Sequence, residues 1–323
     1  MRRDLIALGL NAVDVLIRLP FQIRKDDKQM VSDLVIQGGA PTASGACGVA
    51  RLGYNVAYVA RVGSNTLSAT CTEEFRKSGV STDLFVHDEG SQPALALVEI
   101  DPVTASRTVF IQMDHYGFLR PADIPVDAIR ASRALLVDSY DLDATEAALR
   151  AAVGTECHTV LDFESGDHER IRSLLSLGTH AILPIGCASS LTGHNEPTDV
   201  VRVLADLTSG QVSITDGIRG SWAWDRDCNS VRYQPAFRVP NVDTTGCGDA
   251  YHAGYIVGLL EGWALPLRME FAALLASRVA TSIGGRTALP WRSEVTSLLR
   301  SDISSNLSAL IHNLYDRTDT DSR

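Results

Sequence analysis

The chain has no C-x-x-C pair, no apolar run long enough to span a membrane, no G-x-x-x-x-G-K-[ST] and no repeat of fixed period. Each absence removes a class of protein. The six cysteines (Cys47, Cys71, Cys157, Cys187, Cys228 and Cys247) lie far apart, which argues against a zinc site or a disulfide framework and reads as free thiols. The apolar run near the N terminus, LIALGL at 5–10, is too short for a signal core or a spanning helix. A cytoplasmic protein with no membrane partner is therefore expected. Positive charge is scarce: 29 Lys and Arg against 39 Asp and Glu leave a net charge of −10, which argues against nucleic acid as a partner. Without the Walker pattern, a P-loop nucleotide site is not expected. The 323 residues, 45% hydrophobic and without an evident linker, suit one large α/β core.

What is present concentrates at 242–260, VDTTGCGDAYHAGYIVGLL. Gly246, Cys247 and Gly248 form a tight turn where a helix should start, and Asp249 falls in its first turn. Backbone N–H groups and the positive end of a helix favour an anion there. A carboxylate one residue on could take a proton from a hydroxyl held beside that anion. Phosphoryl transfer to an alcohol follows, with Asp249 as base and 246–248 as anion hole. The same turn also reads as a capped helix start, in which Asp249 only complements the dipole. Ala250, Ala253, Gly254, Val257 and Gly258 recur at helical spacing and predict a narrow face packed closely on a sheet.

DTTGCGD ahead of an apolar helix resembles the C-terminal signature of the ribokinase-like (PfkB) carbohydrate kinase family, D-T-x-G-A-G-D, departing only at Cys247. The Gly38–Gly39 turn, the helix starting near Pro41, and the R-L-G and strand that follow resemble the family's N-terminal signature. The likeness covers roughly residues 4–290. It implies an ATP-dependent sugar kinase with Mg2+, and a monovalent cation such as K+ held through Asp243 and Thr245. It also implies a small β-sheet lid from about 14–37 and 91–113, with Asp14, Gly38 and Gly39 binding the sugar and Lys28 as a further contact. Thr215, Gly217 and Gly220 would border the nucleotide, with Gly285 in a loop near the adenine.

Two family features are missing. Ala43 stands where many members have a sugar-binding Asn. Pro184 and Cys187 occupy the positions of an N-x-x-E motif that helps to organise magnesium. Asp162 and Glu164, at the end of the preceding strand, are expected to orient hydrated magnesium instead. A small Cys at 247 should be tolerated, and a reactive thiol beside the phosphate is conceivable. The degenerate segment before L-T-G, QPAF before DTTG, and GGR-x-x-x-P are most similar to the sulfofructose-kinase-like branch.

Elsewhere, strand-like ALLVDSY, TVLDFES and HAILP alternate with helix-like segments. That alternation argues for a mainly parallel sheet flanked by helices. The kinase domain is expected over 1–295, with a C-terminal helix and a disordered tail over 296–323. Exposed lid edges leave a homodimer through the lid open. A nucleoside kinase of the same fold and a non-catalytic sugar- or nucleotide-binding protein stand as alternatives.

Overall fold

The computed structural model describes residues 2–316. The chain opens with β1 (Leu5–Leu8), β2 (Ala12–Arg18), β3 (Leu34–Gly39), α1 (Pro41–Arg51) and β4 (Val56–Val59). The two-residue β5 (Arg61–Val62), α2 (Thr66–Lys77), the short β6 (Val86–His87), β7 (Ala94–Ile100) and β8 (Arg107–Gln112) follow. Next come α3 (Val126–Ala131), β9 (Ala134–Asp138), α4 (Leu142–Ala152), β10 (His158–Asp162), α5 (His168–Leu175), β11 (His180–Pro184) and α6 (Ile185–Thr192). The remainder is α7 (Pro197–Leu207), β12 (Gln211–Thr215), β13 (Ser221–Asp225), β14 (Ser230–Gln234), α8 (Cys247–Leu260), α9 (Leu265–Val279) and α10 (Ser305–Tyr315).

Eight strands form the main sheet in the order β14-β13-β12-β11-β10-β9-β1-β4. It is parallel from β12 to β4, and β13 and β14 add an antiparallel edge. Strand side chains alternate between two cores. Leu5 and Ala7 join one core with residues of α1, α8, α9 and α10, whereas Ile6 and Leu8 join the other with residues of α4 to α7. Leu307, Ile311 and Tyr315 of α10 are buried in the first of these cores. The last residues of the expected tail, 317–323, lie outside the described residues.

A separate four-stranded sheet, β3-β2-β7-β8, matches the expected lid. Asp14 lies within its strand β2, paired with Gln37 of β3, and not in a loop after β1. One face of the lid carries Leu16, Ala96 and Val98 and is buried. A row on the other face, Ile36–Val15–Leu97–Phe110, crosses all four strands.

Helix α8 corrects one expectation. It is buried all round from Ala250 to Leu260, and its small residues meet helices where the pattern suggested a sheet. A Cβ on Gly254 would stand 2.7 Å from Ala272 Cα of α9, and one on Gly48 of α1 would stand 2.7 Å from Ala253 Cβ. These close approaches bring α1, α8 and α9 into one layer, with the N-terminus of α8 beside α1. Gly254→Val should therefore overpack backbone that cannot yield, lowering stability by about 1–3 kcal/mol. Urea unfolding measures it, and an unchanged midpoint would refute the close-packing account.

Candidate active site

The carboxyl ends of β9, β10, β11 and β12 open toward the lid, where open α/β sheets bind ligands. Helix α8 begins in the same place. Gly246 is its N-cap at φ 77°, a left-handed conformation that favours glycine. A Cβ there would also strike Gly285 Cα at 2.3 Å, so the turn and the loop after α9 touch backbone to backbone. Above Gly248 there is open space. The helix start thus faces an unfilled volume, as an anion hole requires.

Asp243, fully buried, clamps the turn. Its Oδ1 accepts from Thr245 N (2.8 Å) and Thr245 Oγ1 (2.7 Å), and its Oδ2 accepts from Gly284 N at 2.9 Å. Both carboxylate oxygens are thereby engaged within the protein. Asp243 is thus a strut that fixes the turn, and its carboxylate keeps the oxygen lone pairs that the expected monovalent-cation role calls for.

Asp249 is half-buried, and its carboxyl is pushed well above the carboxylate range by desolvation, then by Glu164. Arg107 and Asp14 also act on it, Arg107 lowering and Asp14 raising, and Arg286 lowers it further. Asp14, buried and packed against Gly39, is raised to about 6 by burial, opposed by Arg286. Asp162 is raised well above its usual range by burial, Glu164, Asp249 and Asp138. Four sequence-predicted residues, Asp14, Asp162, Glu164 and Asp249, therefore share one field.

Asp162, expected to help orient magnesium, closes β10 beside α8. Its Oδ2 lies 3.4 Å from His252 Nδ1 and has no hydrogen-bond partner. His252, one turn along α8, sets Nδ1 2.9 Å from Gly248 O and Nε2 3.1 Å from Ile182 O. Burial lowers its pKa to about 4, opposed by these carbonyl contacts. The unpartnered Oδ2 and the half-buried Glu164 are hard oxygen donors of the kind magnesium prefers. Among the described residues no three His, Cys, Asp or Glu side chains converge as a metal cage. That fits an ion that keeps waters and takes its other ligands from phosphate.

Lys28 is exposed in the loop between β2 and β3. The Gly38–Gly39 turn lies at the hairpin's other end, where Ala12 pairs with Gly39, so Lys28 is not brought to it. Thr215 ends β12. Gly217 opens the following turn at φ 50° with nothing above its Cα, and Gly220 (φ 101°) packs on Gln234 O. Tyr251 Oη bonds Ser221 Oγ at 2.9 Å and ties this hairpin to α8. The Cys247 thiol is pushed up to about 12 by burial, with Asp243 and Asp249 adding and Arg107 opposing. It therefore stays a thiol, and the reactive thiolate conceived from its position is not formed.

Three residues of this neighbourhood escaped the sequence. Arg107 Nη1, from lid strand β8, donates to Thr244 O (3.2 Å) and Thr244 Oγ1 (2.9 Å), so the lid touches the anion-hole turn. Asp138, at the end of β9, accepts from Leu10 N, Thr42 Oγ1 and Tyr140 N and holds the strand ends together. Its pKa is raised to about 7 by burial. Arg286, 2% exposed, lies behind the Gly38–Gly39 turn. Only Asp138 had a local signal, an acid closing an apolar strand.

A lid facing a helix N-terminus ringed by carboxylates defines a small-molecule phosphotransferase of the ribokinase fold. The family model of pfkB carbohydrate kinases matches residues 8–292, and the chain belongs to that family. A 5-dehydro-2-deoxygluconokinase from Geobacillus thermodenitrificans is 26% identical over 92% of this chain and 93% of its own. A crystal structure from Agrobacterium tumefaciens, provisionally named a ribokinase, superposes with TM-score 0.85 at 21% identity, covering 98% of this chain and 100% of that one. Arabidopsis thaliana ribokinase, solved with ribose and ATP, gives TM-score 0.79 at 20% identity over 93% and 99% of the two chains. These matches do not single out the sulfofructose-kinase-like branch. The chain is an ATP-dependent carbohydrate kinase, and among the described residues no helix is long and apolar enough to cross a membrane.

Asp243→Ala would leave the Thr245 and Gly284 amides without an acceptor in a buried turn. The expected loss is about 3 kcal/mol, read as a lower urea midpoint at unchanged slope. A midpoint equal to the parent's would mean that the clamp contributes nothing.

Proposed function

We propose that Asp249 takes the proton of a sugar hydroxyl, most simply a primary one, as that oxygen attacks the γ-phosphoryl group of ATP in line. The observation that carries this reading is the open N-terminus of α8 above Gly248 with the half-buried Asp249 in its first turn. Backbone N–H groups of 246–248 then face the charge that develops on the phosphate. Asp14 and the Gly38–Gly39 turn hold the acceptor. Thr215, Gly217, Gly220 and Gly285 border the nucleotide. Arg107 adds a positive charge from the lid where the phosphate is transferred, and lid closure excludes water.

Asp162 and Glu164 are the residues that would orient magnesium. When bound with ATP, the ion supplies charge neutralisation at the phosphate oxygens. Burial of Cys187 with its pKa raised to about 11, by burial and then by Glu164 and Asp162, supports this assignment. The two acids act on the very position where the family's Glu would stand.

The acceptor is proposed to be a small polyhydroxylated carbohydrate. Sugar acids of the 5-dehydro-2-deoxygluconate type are the first to test, on the strength of the relatives' names. ATP-dependent phosphorylation across sugar acids, ketoses, aldoses and nucleosides should give turnover with one carbohydrate class. Asp249→Asn should lower kcat about 100- to 10,000-fold. Equal turnover by the variant would eliminate Asp249 as base.

A pH profile adds a second check. Burial and Glu164 hold the proton on Asp249 in the free enzyme, and a base must lose it, so kcat/KM for the acceptor should rise with pH through an apparent pKa above the ordinary carboxylate range. A profile already flat from about pH 5 upward would contradict this.

A homodimer through the lid is supported by the outer row, in which Ile36 is 60% exposed, Leu97 41% and Phe110 53%. Contiguous apolar surface of this kind marks an interaction face. Light scattering should give twice the mass of one chain, and Phe110→Asp should halve it. A parent protein that stays monomeric at high concentration would rule the dimer out.

A further inference from the structure

Arg286 is among the largest fully buried side chains, yet it sits in a loop. Its guanidinium runs between the lid strand β3 and helices α1 and α2. Nε donates to Ser44 Oγ of α1 at 3.1 Å, and Nη2 donates to Gly39 O of β3 at 2.8 Å. The guanidinium carbon lies 5.3 Å from the centre of the Phe75 ring of α2. Nη1 has no hydrogen-bond partner among the described residues, and a Cβ on Gly38 would stand 2.1 Å from it. The cation is therefore sealed beneath the Gly38–Gly39 turn. One residue back, Gly285 abuts Gly246 of the anion-hole turn.

A buried guanidinium is an expensive brace. Burying an incompletely paired charge is unfavourable, and an apolar side chain of similar volume could pack on Phe75 with less penalty. What the apolar substitute lacks is the donor to Gly39 O and the positive charge. That charge acts on Asp14, which also feels Asp243 of the turn before α8. Asp14 acts in turn on Cys71 of α2 and on Asp249 of α8.

We propose that Arg286 is a positioning residue for the sugar: from the loop abutting the anion-hole turn it fixes the Gly39 carbonyl and sets a positive charge behind Asp14, preorganising the acceptor site. The inference rests on the placement of the sugar at Asp14 and the Gly38–Gly39 turn. Because Nη1 is covered by Gly38, Arg286 acts through the turn and not by touching the sugar. Its removal should weaken acceptor binding and leave phosphoryl transfer nearly intact.

The test is steady-state kinetics with ATP and the preferred acceptor for the parent, Arg286→Met, Arg286→Lys, Ser44→Ala and Asp14→Asn. In Arg286→Met the acceptor KM should rise about 10- to 100-fold, the scale of a lost charged hydrogen bond. The ATP KM and kcat should move by less than about threefold. Lys restores the charge without the fork and should recover part of the acceptor KM. Ser44→Ala keeps the guanidinium and should raise that KM slightly, which preserves the test if the Met variant fails to fold. An acceptor KM unchanged in Arg286→Met, or in both Arg286→Lys and Ser44→Ala, overturns the proposal when Asp14→Asn raises it. Equal falls in kcat with rising ATP KM would also overturn it. If Asp14→Asn leaves the acceptor KM unchanged, the sugar is not held at Asp14, and the underlying placement fails together with the proposal.

Discussion

The contact on which this site depends is the meeting of two glycine backbones, Gly246 and Gly285, locked by the Asp243 carboxylate. It joins the start of α8 to the loop after α9, 39 positions apart in the sequence. Arg51 braces the same loop from α1 by donating to Arg286 O and Leu289 O. Gly246 must be left-handed to start the helix where it does, and any side chain at 246 would push the loop away. With the contact made, the anion hole, the nucleotide-side loop and the root of Arg286 become one rigid piece. Preorganisation of this kind lets backbone N–H groups stabilise a developing charge without reorganising.

Electrostatics sets the second constraint. Asp14, Asp138, Asp162, Glu164 and Asp249 crowd together in a buried region, and burial raises every one of them. Such a cluster favours the protonated forms until positive charge arrives. Two arginines supply it from opposite sides: Arg107 on the edge strand of the lid sheet, and Arg286 from behind the Gly38–Gly39 turn. One is exposed and the other sealed. The exposed cation can respond to ligands, whereas the sealed one is a fixed part of the scaffold.

Much of this was legible because it is local. The D-T-T-G-C-G-D string encodes its own turn and helix start, and the family resemblance it carries implies the lid over 14–37 and 91–113. The βα alternation gives the parallel sheet. What failed was long-range placement. Lys28 was attractive as the only obvious cation near the sugar, but it lies at the wrong end of its hairpin. Nothing near Asp162 in sequence hints at its neighbour His252, 90 positions away. Arg107 and Arg286 reach their partners across 137 and 247 positions. Composition and periodicity do not carry such pairings. The small residues of α8 were recognised correctly, yet their spacing is the same whether they face a sheet or two helices.

The missing N-x-x-E motif is then better understood as a relocation of charge than as a loss. At the Glu position stands Cys187, buried and adjoining Asp162 and Glu164 closely enough for both to raise its thiol. A second acid at 187 would add another negative charge to a cluster that already resists ionisation. Holding the carboxylates one strand over, on the β10 end, keeps oxygen donors beside Asp249 without that extra repulsion. The cost falls on proton release from Asp249, which Glu164 opposes. In the proposed loaded site, positive charge at the phosphates, together with Arg107, would relieve that opposition.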